Sequence, residues 1–239
     1  MRKIIFLKLF VLLLFSSSAQ EWKIDIGYDY LYTKKWDNAI QTYNFSRPFL
    51  MEKQPLLMNG FNTSVSYIKH NEKKVKHGII LSHSYFRSFA QNENYANTLN
   101  LHFISMGYLF HLKNQEKHKQ IYFDFIIAAR SSAIFRTVNE QPFIVDEKQS
   151  RAFGIGGDLS CKMGYVFSIS EKFQLSPFIK VGCTPYLFSP NTEAVINQTK
   201  TLASPNWASS LNAQVGISLH FKKWNRGLQD LYFLDLLLF

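Results

Sequence analysis

Apolar and polar positions alternate one by one along residues 152–169, AFGIGGDLSCKMGYVFSI. The odd positions, such as Phe153, Leu159 and Tyr165, are mostly large and apolar, and the even positions are small or polar. Because successive side chains of a strand point to opposite faces, this period of two predicts a β-strand with one apolar face. The stretch is about three times the usual strand length of roughly 5–6 residues. Such a length suits a strand that crosses a membrane, since about 9–11 residues span the hydrocarbon.

Eight strands are predicted from this alternation. Their ranges are residues 22–32, 61–69, 75–88, 98–112, 120–130, 152–169, 173–188 and 207–221. The fourth strand changes phase, because Leu99 and Phe103 share one face whereas Ile104 and Tyr108 share the other. A β-bulge near Ser105 would reconcile the two halves, since one extra residue reverses the face that the following side chains occupy.

The connections between the predicted strands alternate between longer and shorter. The longer ones cover residues 33–59, 89–97, 131–151 and 189–205, and the shorter ones cover 70–74, 113–119 and 170–172. Outer-membrane barrels have longer extracellular loops and short periplasmic turns. The pattern therefore predicts an all-β fold, an eight-stranded antiparallel up-and-down transmembrane β-barrel with both termini on the periplasmic side.

The two ends of the chain carry patterns of their own. Residues 1–19 begin with basic residues, continue as a short apolar run and end in small residues, as a cleaved secretory signal does. The run is too short to span a membrane, so we expect cleavage after Ala19 and a barrel over residues 20–221 in the outer membrane of a Gram-negative bacterium. Residues 222–239 are basic and then leucine-rich, and they are predicted to form a periplasmic or interfacial tail.

A short motif lies in the last predicted strand. Gln214, Gly216, Leu219 and Phe221 follow the order and spacing of polar, glycine, apolar and aromatic residues that ends many outer-membrane barrels. Together with the strand pattern of residues 22–221, this motif resembles the small eight-stranded outer-membrane barrels of the OmpA/OmpX type, in architecture rather than in close sequence. The resemblance implies that the outer-membrane barrel assembly machinery handles the chain. The chain departs from it by continuing past Phe221, which leaves a competing signal at the C-terminus as an alternative.

Alternation alone does not say which face of the barrel is outside. A soluble ligand-binding barrel would have its apolar face inside and an outer surface rich in Lys and Glu. The polar faces of residues 152–169 and 207–221 are instead mostly Gly, Ser, Asn and Gln. Small polar side chains suit the narrow lumen of an eight-stranded barrel, so the apolar face is predicted to contact lipid.

The chain is basic, with a net charge of +10, and many of its basic residues lie in or directly beside the shorter connections and after the last strand. These are Lys69, Lys73, Lys74, Lys76, Lys113, Lys117, Lys119, Lys172, Lys222, Lys223 and Arg226. We expect them to contact the anionic phospholipid head groups of the inner leaflet, in an outer membrane whose outer leaflet is lipopolysaccharide, although a solvated turn surface is an equal alternative. The basic residues form no stripe suited to nucleic acid.

Charges of both signs are predicted to face the lumen. They are Lys23, Asp25, Asp29, Asp124, Asp158, Lys162 and Lys180. Because buried charges must be paired or solvated, we expect a network that plugs the lumen. A water-filled pathway with a charged constriction is the alternative, which an eight-stranded barrel leaves little room to form.

The candidates for chemistry are weak. Ser84 and His102 would face each other across adjacent strands if the connection is centred near residue 93, but a serine nucleophile also needs an orienting acid, and none is firmly placed. Cys161 and Cys183 lie on adjacent strands and would sit opposite only for one length of the turn, so a disulfide stays open. The seven histidines show no metal-ligand spacing, and no metal or cofactor is predicted.

The function predicted from the sequence is that of an outer-membrane barrel with a structural or loop-mediated binding role, a largely plugged lumen and an extracellular ligand that the sequence does not name. Loops carry the function of many proteins built on rigid scaffolds. The alternatives are a narrow channel for small solutes and a lipid A-modifying enzyme, since such enzymes occur on eight-stranded barrels. Ser84 and His102 would be the residues to test for the second alternative, and we expect the chain not to be an enzyme.

Overall fold

Long antiparallel strands pair edge to edge around a closed barrel in the computed structural model. The structure describes residues 20–47, 52–69, 75–92, 95–113, 120–140, 148–170, 172–197 and 207–222. Its strands are β1 Gln20–Tyr32, β2 Asn59–Lys69, β3 Val75–Asn92, β4 Tyr95–Lys113, β5 Ile121–Glu140, β6 Lys148–Tyr165, β7 Phe167–Ser168, β8 Phe173–Phe188 and β9 Trp207–Lys222. Its helices are α1 Lys34–Phe45, which follows β1, and α2 Thr192–Asn197, which follows β8.

Strands that are consecutive in the chain are neighbours in the barrel, so the topology is up-and-down. Pairing of β1 with β9 and of β6 with β8 closes the sheet. The two-residue strand β7 continues β6 beyond Val166 and pairs with β8, so the wall has eight strands. The predicted fold class, a closed eight-stranded antiparallel barrel, is confirmed.

The wall of the barrel is apolar outside and polar inside. Large apolar residues such as Ile26, Ile127 and Ile217 are about half exposed, at 56%, 56% and 48%. The alternate positions of the same strands point inward and are buried, among them Asp25, Asp124 and Ser218. This alternation is that of a transmembrane β-barrel and the reverse of a water-soluble one.

Aromatic rings lie in pairs on the outer surface near both ends of the barrel. The Trp22 and Tyr67 ring centroids are 5.1 Å apart near the end where the chain enters and leaves the barrel, which we call the terminal end. The Phe188 and Trp207 rings are 5.2 Å apart near the opposite end. Such aromatic girdles mark the two interfaces of membrane barrels.

The β-bulge predicted near Ser105 is wrong. Strand β4 pairs with β3 and β5 in one continuous register from Tyr95 to Leu112. Leu99 and Phe103 point into the barrel and are buried, because the lumen itself becomes apolar toward the end opposite the termini. The change of phase in the sequence therefore reports a change in the polarity of the lumen, with no change in register.

Two of the predicted long connections are largely strand. Residues 89–92 belong to β3 and 95–97 to β4, whereas 131–140 and 148–151 extend β5 and β6. Apolar and polar residues alternate less regularly in these segments. The reason is that the inward-facing residues near the helices include both apolar and polar side chains. The two remaining predicted connections, residues 33–59 and 189–205, contain α1 and α2.

Helix α1 has one apolar face. Trp36, Ile40 and Tyr43 recur at helical spacing and are buried, and Asp37 lies in the first turn, where a negative charge favours a helix. No helix among the described residues is long and apolar enough to cross a membrane. The predicted secretory signal, most of the predicted short connections and nearly all of the predicted tail lie outside the described residues.

Candidate functional site

The inside of the barrel is organised in three layers, which we name from the terminal end upward. The lower tier consists of Glu21, Lys23, Asp25, His111, Tyr122, Asp124, Lys162, Ser218 and His220. The middle tier consists of Asp29, Ser84, Arg130, Asp158, Ser160, Lys180, Thr184 and Asn212. The cap consists of α1 and α2 with the apolar wall residues that they cover, Leu31, Phe86, Leu99, Leu101, Phe103, Ile134, Ala152, Leu187 and Ala208.

The lower tier is held together by buried ion pairs. Lys23 Nζ lies 2.9 Å from Asp124 Oδ2, and Lys162 Nζ lies 2.7 Å from Asp25 Oδ1 and 3.9 Å from Asp124 Oδ2. All four side chains are at most 5% exposed. Opposite charges at this distance offset part of the cost of removing each from water, so loss of one partner leaves the other charge buried and uncompensated.

A buried tyrosine fills the centre of the lower tier. His111 and His220 each place Nδ1 on a carboxylate oxygen, of Asp124 at 2.5 Å and of Glu21 at 2.9 Å. Both imidazole rings contact the Tyr122 ring, at centroid distances of 5.5 and 5.4 Å. The Tyr122 ring is fully buried and obstructs the lumen at this level.

The Tyr122 ring needs a glycine beside it. A Cβ added at Gly164, its partner on β6, would lie 2.5 Å from the ring. Any larger residue at this position would therefore force the ring out of the lumen. The glycine in the alternating pattern of β6 is thus explained by close approach of an aromatic side chain.

The middle tier is organised by Arg130. Its guanidinium donates to Asp158 Oδ2 at 2.6 Å, to the Thr184 hydroxyl at 2.8 Å and to the Ser105 hydroxyl at 3.0 Å. On the other side of the lumen, the Ser84 hydroxyl donates to Asp29 Oδ2 at 3.0 Å. The guanidinium therefore connects β4, β5, β6 and β8 at one level.

The cap closes the end of the barrel opposite the termini. Trp36 and Ile40 of α1 and Ile196 of α2 belong to one buried apolar cluster with the surrounding wall. The Trp36 ring stacks on the inward-facing Phe103 ring at 6.1 Å. Burial raises the pKa of the Asp37 carboxyl in the first turn of α1, so this carboxyl takes up a proton at a higher pH than an exposed one.

One arginine ties both cap helices to the wall. The Arg136 side chain of β5 is 1% exposed and donates hydrogen bonds to the carbonyl oxygens of Val195, at 3.1 Å, and Ile196 in α2. Its guanidinium also lies 4.2 Å from the ring centroid of Tyr43 in α1. Charge-assisted hydrogen bonds and a cation–π contact thus join three elements through a single side chain.

The structure places all seven charges predicted for the lumen inside it. Four of them, Lys23, Asp25, Asp124 and Lys162, pair in the lower tier. The other three, Asp29, Asp158 and Lys180, lie in the middle tier. The sequence interpretation missed Arg130 and Arg136, although both are an even number of residues from Asp124 along β5 and therefore point inward, and it did not include His111 and His220 among the paired groups of the lumen.

The predicted pairing of Ser84 with His102 is wrong. The β3–β4 hairpin joins Asn92 to Tyr95, so Ser84 lies opposite Phe103 and His102 lies opposite Tyr85. This offset of one residue places the hydroxyl in the lumen and the imidazole on the outer surface, where it lies 3.1 Å from the ring of His83. The two side chains are on opposite faces of the wall and form no catalytic dyad.

The two cysteines are offset across their strands. Cys161 lies opposite Val181 and Cys183 lies opposite Leu159, and both thiols are free. In the described residues, no group of three or more His, Cys, Asp or Glu side chains is arranged to hold a metal ion.

The motif of the last strand divides between the two faces of β9. The Gln214 amide points inward and donates to Asn62 Oδ1 at 2.9 Å. Gly216 also lies on the inner face, where an added Cβ would come 2.9 Å from the Phe178 ring. Leu219 and Phe221 have the outward parity, and the Phe221 ring lies 5.4 Å from that of Phe173.

The closed wall, with its apolar outside and charged inside, defines an eight-stranded transmembrane β-barrel. No protein-family model and no curated protein matches the chain. Among solved structures, the chain is similar to Neisserial surface protein A, with 9% identity, a TM-score of 0.45 and coverage of 87% of this chain and 100% of that one. It is also similar to the attachment invasion locus protein Ail of Yersinia pestis in complex with a heparin analogue, with 11% identity, a TM-score of 0.44 and coverage of 84% and 99%. It is also similar to the outer membrane protein OprG from Pseudomonas aeruginosa, with 9% identity, a TM-score of 0.44 and coverage of 84% of this chain and 95% of that one.

Proposed function

We propose that the chain is an outer-membrane β-barrel whose lumen is closed to solutes and whose role is structural or is carried by binding at its cap end. The observation that carries the proposal is the double closure of the lumen. The cap fills one end with apolar side chains, and Tyr122 with its paired charges fills the other. A barrel without a free passage acts through the surface that it presents.

The cap end is the surface proposed to meet a partner. In a barrel with both termini in the periplasm, α1 and α2 face the outside of the cell. The outer side of α1 is accessible, and its Phe45 side chain is 88% exposed. An exposed aromatic residue on a helix held by a rigid wall is suited to contact another molecule.

Lipids and the assembly machinery are the proposed partners of the wall. The described basic residues at the terminal end, Lys69, Lys76 and Lys172, stand where anionic head groups of the inner leaflet would lie. Lipopolysaccharide is the proposed neighbour at the cap end. The proposed assembly signal consists of Gln214, Gly216, Leu219 and Phe221. No catalytic activity is proposed.

The membrane assignment predicts a large cost for a charge on the outer wall. Replacing the outward-facing Ile127 with arginine should lower the free energy of unfolding of the vesicle-inserted protein by about 2–4 kcal/mol. Phe45→Arg, on the accessible side of α1, is the control and should change it by less than about 0.5 kcal/mol. Urea titration of vesicle-inserted protein measures both values, and equal effects of the two variants would contradict a lipid-facing wall.

The closed lumen predicts an absence of conductance. The purified full-length protein, inserted into a planar lipid bilayer, should give no discrete current steps under an applied voltage. Insertion is established separately by the heat-dependent electrophoretic shift of a folded barrel in the same preparation. Reproducible current steps from the unaltered protein would contradict the closed-lumen proposal.

A narrow channel for small solutes is the second candidate, and the middle tier favours it. This layer holds Asp29, Asp158, Arg130 and Lys180, which are groups that a hydrated passage requires. Conduction through it requires the cap to leave the mouth and the Tyr122 ring to move. The same conductance measurement therefore decides between the two candidates.

A further inference from the structure

Two arginines lie on the outer face of the wall, in contrast to Arg130 and Arg136, whose guanidinium groups are bound inside the barrel. Arg87 of β3 and Arg151 of β6 have the parity of the lipid-facing residues and are exposed. Among the described residues, no carboxylate lies within ion-pairing distance of either guanidinium, and that of Arg87 lies 5.4 Å from the Phe89 ring. Both cations are therefore available to a negative charge from outside the chain.

The register of the barrel places both arginines on one row that crosses four strands. Arg87 pairs with Asn100, Asn100 pairs with Phe135, and Phe135 pairs with Arg151. We call these four residues the arginine row. Neighbouring strands are about 4.8 Å apart, so three strand steps separate the two arginines by roughly 14 Å along the wall. A single ligand that neutralises both must carry two negative groups at a comparable separation.

The arginine row lies at the membrane interface of the cap end. Near the terminal end of β3, the outward-facing His77 ring packs against the Phe110 ring at 5.5 Å, and Arg87 follows ten residues after His77. At about 3.4 Å per residue and a strand tilt of about 40°, this corresponds to about 25 Å along the barrel axis, the height of the apolar band of membrane barrels. The row is inclined with the strands, so Arg151 lies about 9 Å further along the axis. Both guanidinium groups are therefore in the region of the lipid head groups.

The surface between the two arginines is suited to a sugar. The Tyr85 hydroxyl donates to Asn100 Oδ1 at 2.8 Å, which leaves the amide NH₂ group of Asn100 to donate elsewhere. The Phe135 ring packs edge to face with the His102 and Phe153 rings, at centroid distances of 5.9 and 6.2 Å. The row thus has a cation at each end, with a hydrogen-bond donor and a fixed aromatic ring between them.

The wall below the arginine row is apolar. Phe153, Ile155 and Ile104 point outward there and are 56%, 71% and 52% exposed. Acyl chains attached to a head group on the row would lie along these side chains. The row and the wall below it therefore match a lipid whose sugar head group carries two anions.

We propose that the arginine row binds the head group of lipid A, a glucosamine disaccharide with a phosphate at each end and acyl chains attached. One phosphate binds Arg87 and the other binds Arg151, since a guanidinium donates two parallel hydrogen bonds to a phosphate. The disaccharide crosses Asn100 and Phe135 and lies inclined to the membrane plane. The inference rests on the proposed function, because it takes the cap end to face the outer leaflet.

Lipid retention by the folded barrel tests the proposal. The purified full-length protein is inserted into phosphatidylcholine vesicles that contain equal amounts of bisphosphorylated lipid A, monophosphorylated lipid A and cardiolipin. Native mass spectrometry then counts the lipids that stay bound after mild detergent extraction. Retention of the bisphosphorylated form should exceed that of the monophosphorylated form about tenfold, the factor that corresponds to one charge-assisted hydrogen bond. Equal retention of the two forms would overturn the proposal, and so would equal retention of cardiolipin, which has two phosphates but no disaccharide.

Arg87→Gln and Arg151→Gln assign the phosphates to the row. Each should lower the retention of bisphosphorylated lipid A about tenfold. In one of the two variants, the bisphosphorylated and monophosphorylated forms should be retained equally, because the partner of the second phosphate is then missing. Lys34→Gln is the control, since it removes an exposed charge at the start of α1, outside the row, and should leave retention unchanged. Unchanged retention in both arginine variants would refute the site.

The heat-dependent electrophoretic shift separates a failure of this inference from a failure of the proposed function. A folded barrel that shows the shift and retains no lipid A preferentially contradicts the arginine row alone. An unaltered protein that shows no shift after mixing with vesicles contradicts the membrane location on which the proposed function rests.

Discussion

Asp124→Ala is expected to lower the free energy of unfolding by about 3–5 kcal/mol, the cost of removing one partner from a buried ion pair. The Asp124 carboxylate binds Lys23 and His111 directly and lies 3.9 Å from Lys162. Its removal leaves the Lys23 ammonium buried at 0% exposure without its main counter-charge. Urea-induced unfolding of the vesicle-inserted protein, followed by tryptophan fluorescence, measures the change.

Two controls separate the loss of charge balance from other effects. The double variant Lys23→Met with Asp124→Leu removes both charges at similar volume and should recover at least half of the lost stability, because no unpaired charge then remains in this pair. Glu193→Gln breaks the ion pair between Glu193 and Lys35, which joins the two cap helices. The side chains of Glu193 and Lys35 are 34% and 38% exposed. That change should cost about 0–1 kcal/mol. If the double variant is as unstable as Asp124→Ala, the unpaired charge is not the cause.

Arg136→Met is expected to release the cap while leaving the barrel folded. The methionine keeps the apolar bulk of the side chain and loses the hydrogen bonds to the carbonyls of Val195 and Ile196, each worth about 1.5–3 kcal/mol for a charged donor. A loss of about 3 kcal/mol raises the population of the open cap about a hundredfold, since about 1.4 kcal/mol corresponds to a factor of ten. Hydrogen exchange of the Val195 amide, which is bonded to the Asn191 carbonyl at 3.0 Å, reports the opening.

The matched control for Arg136 is another arginine of the wall. Arg87 lies on the outer face of β3, exposed, with its guanidinium 5.4 Å from the Phe89 ring. Arg87→Met should leave the exchange of the Val195 amide unchanged. Equal exchange in the Arg136 variant and the unaltered protein would show that apolar packing alone holds the cap.

The wall of the barrel could be predicted from the sequence because each strand has only two faces. The period of two in β6 and β9 fixes which residues point inward once a lipid-facing side is assigned. The bounds of β8, Phe173–Phe188, agree with the predicted range, because a tight turn precedes the strand and most of it alternates; the alternation breaks only between Thr184 and Leu187, where its register with β9 shifts. Asp25 and Lys162 were placed in the lumen by parity alone, whereas their pairing also depends on the register of the closed barrel.

The cap could not be predicted in the same way. Apolar and polar residues alternate with a period of two where one face of a strand meets lipid and the other meets a polar lumen. Neither condition holds where Leu99 and Phe103 meet α1. These residues looked like a register change because their apolar partner is a helix far away in the sequence. The one-residue error at Ser84 and His102 has a simpler cause, since the centre of a hairpin is not encoded in the alternation of its strands.

The position of the two helices in the chain has a consequence for the order of folding. Helix α1 follows the first strand and α2 follows the next-to-last, and Lys35 of α1 donates to the Trp207 carbonyl at the start of β9. The contacts of the cap therefore join segments from opposite ends of the sequence, and their formation requires closing a very long loop. The cap can be completed only after β1 and β9 have paired. In a pulse-labelling experiment, the time at which the α2 amides become protected from hydrogen exchange would therefore show when the barrel has closed.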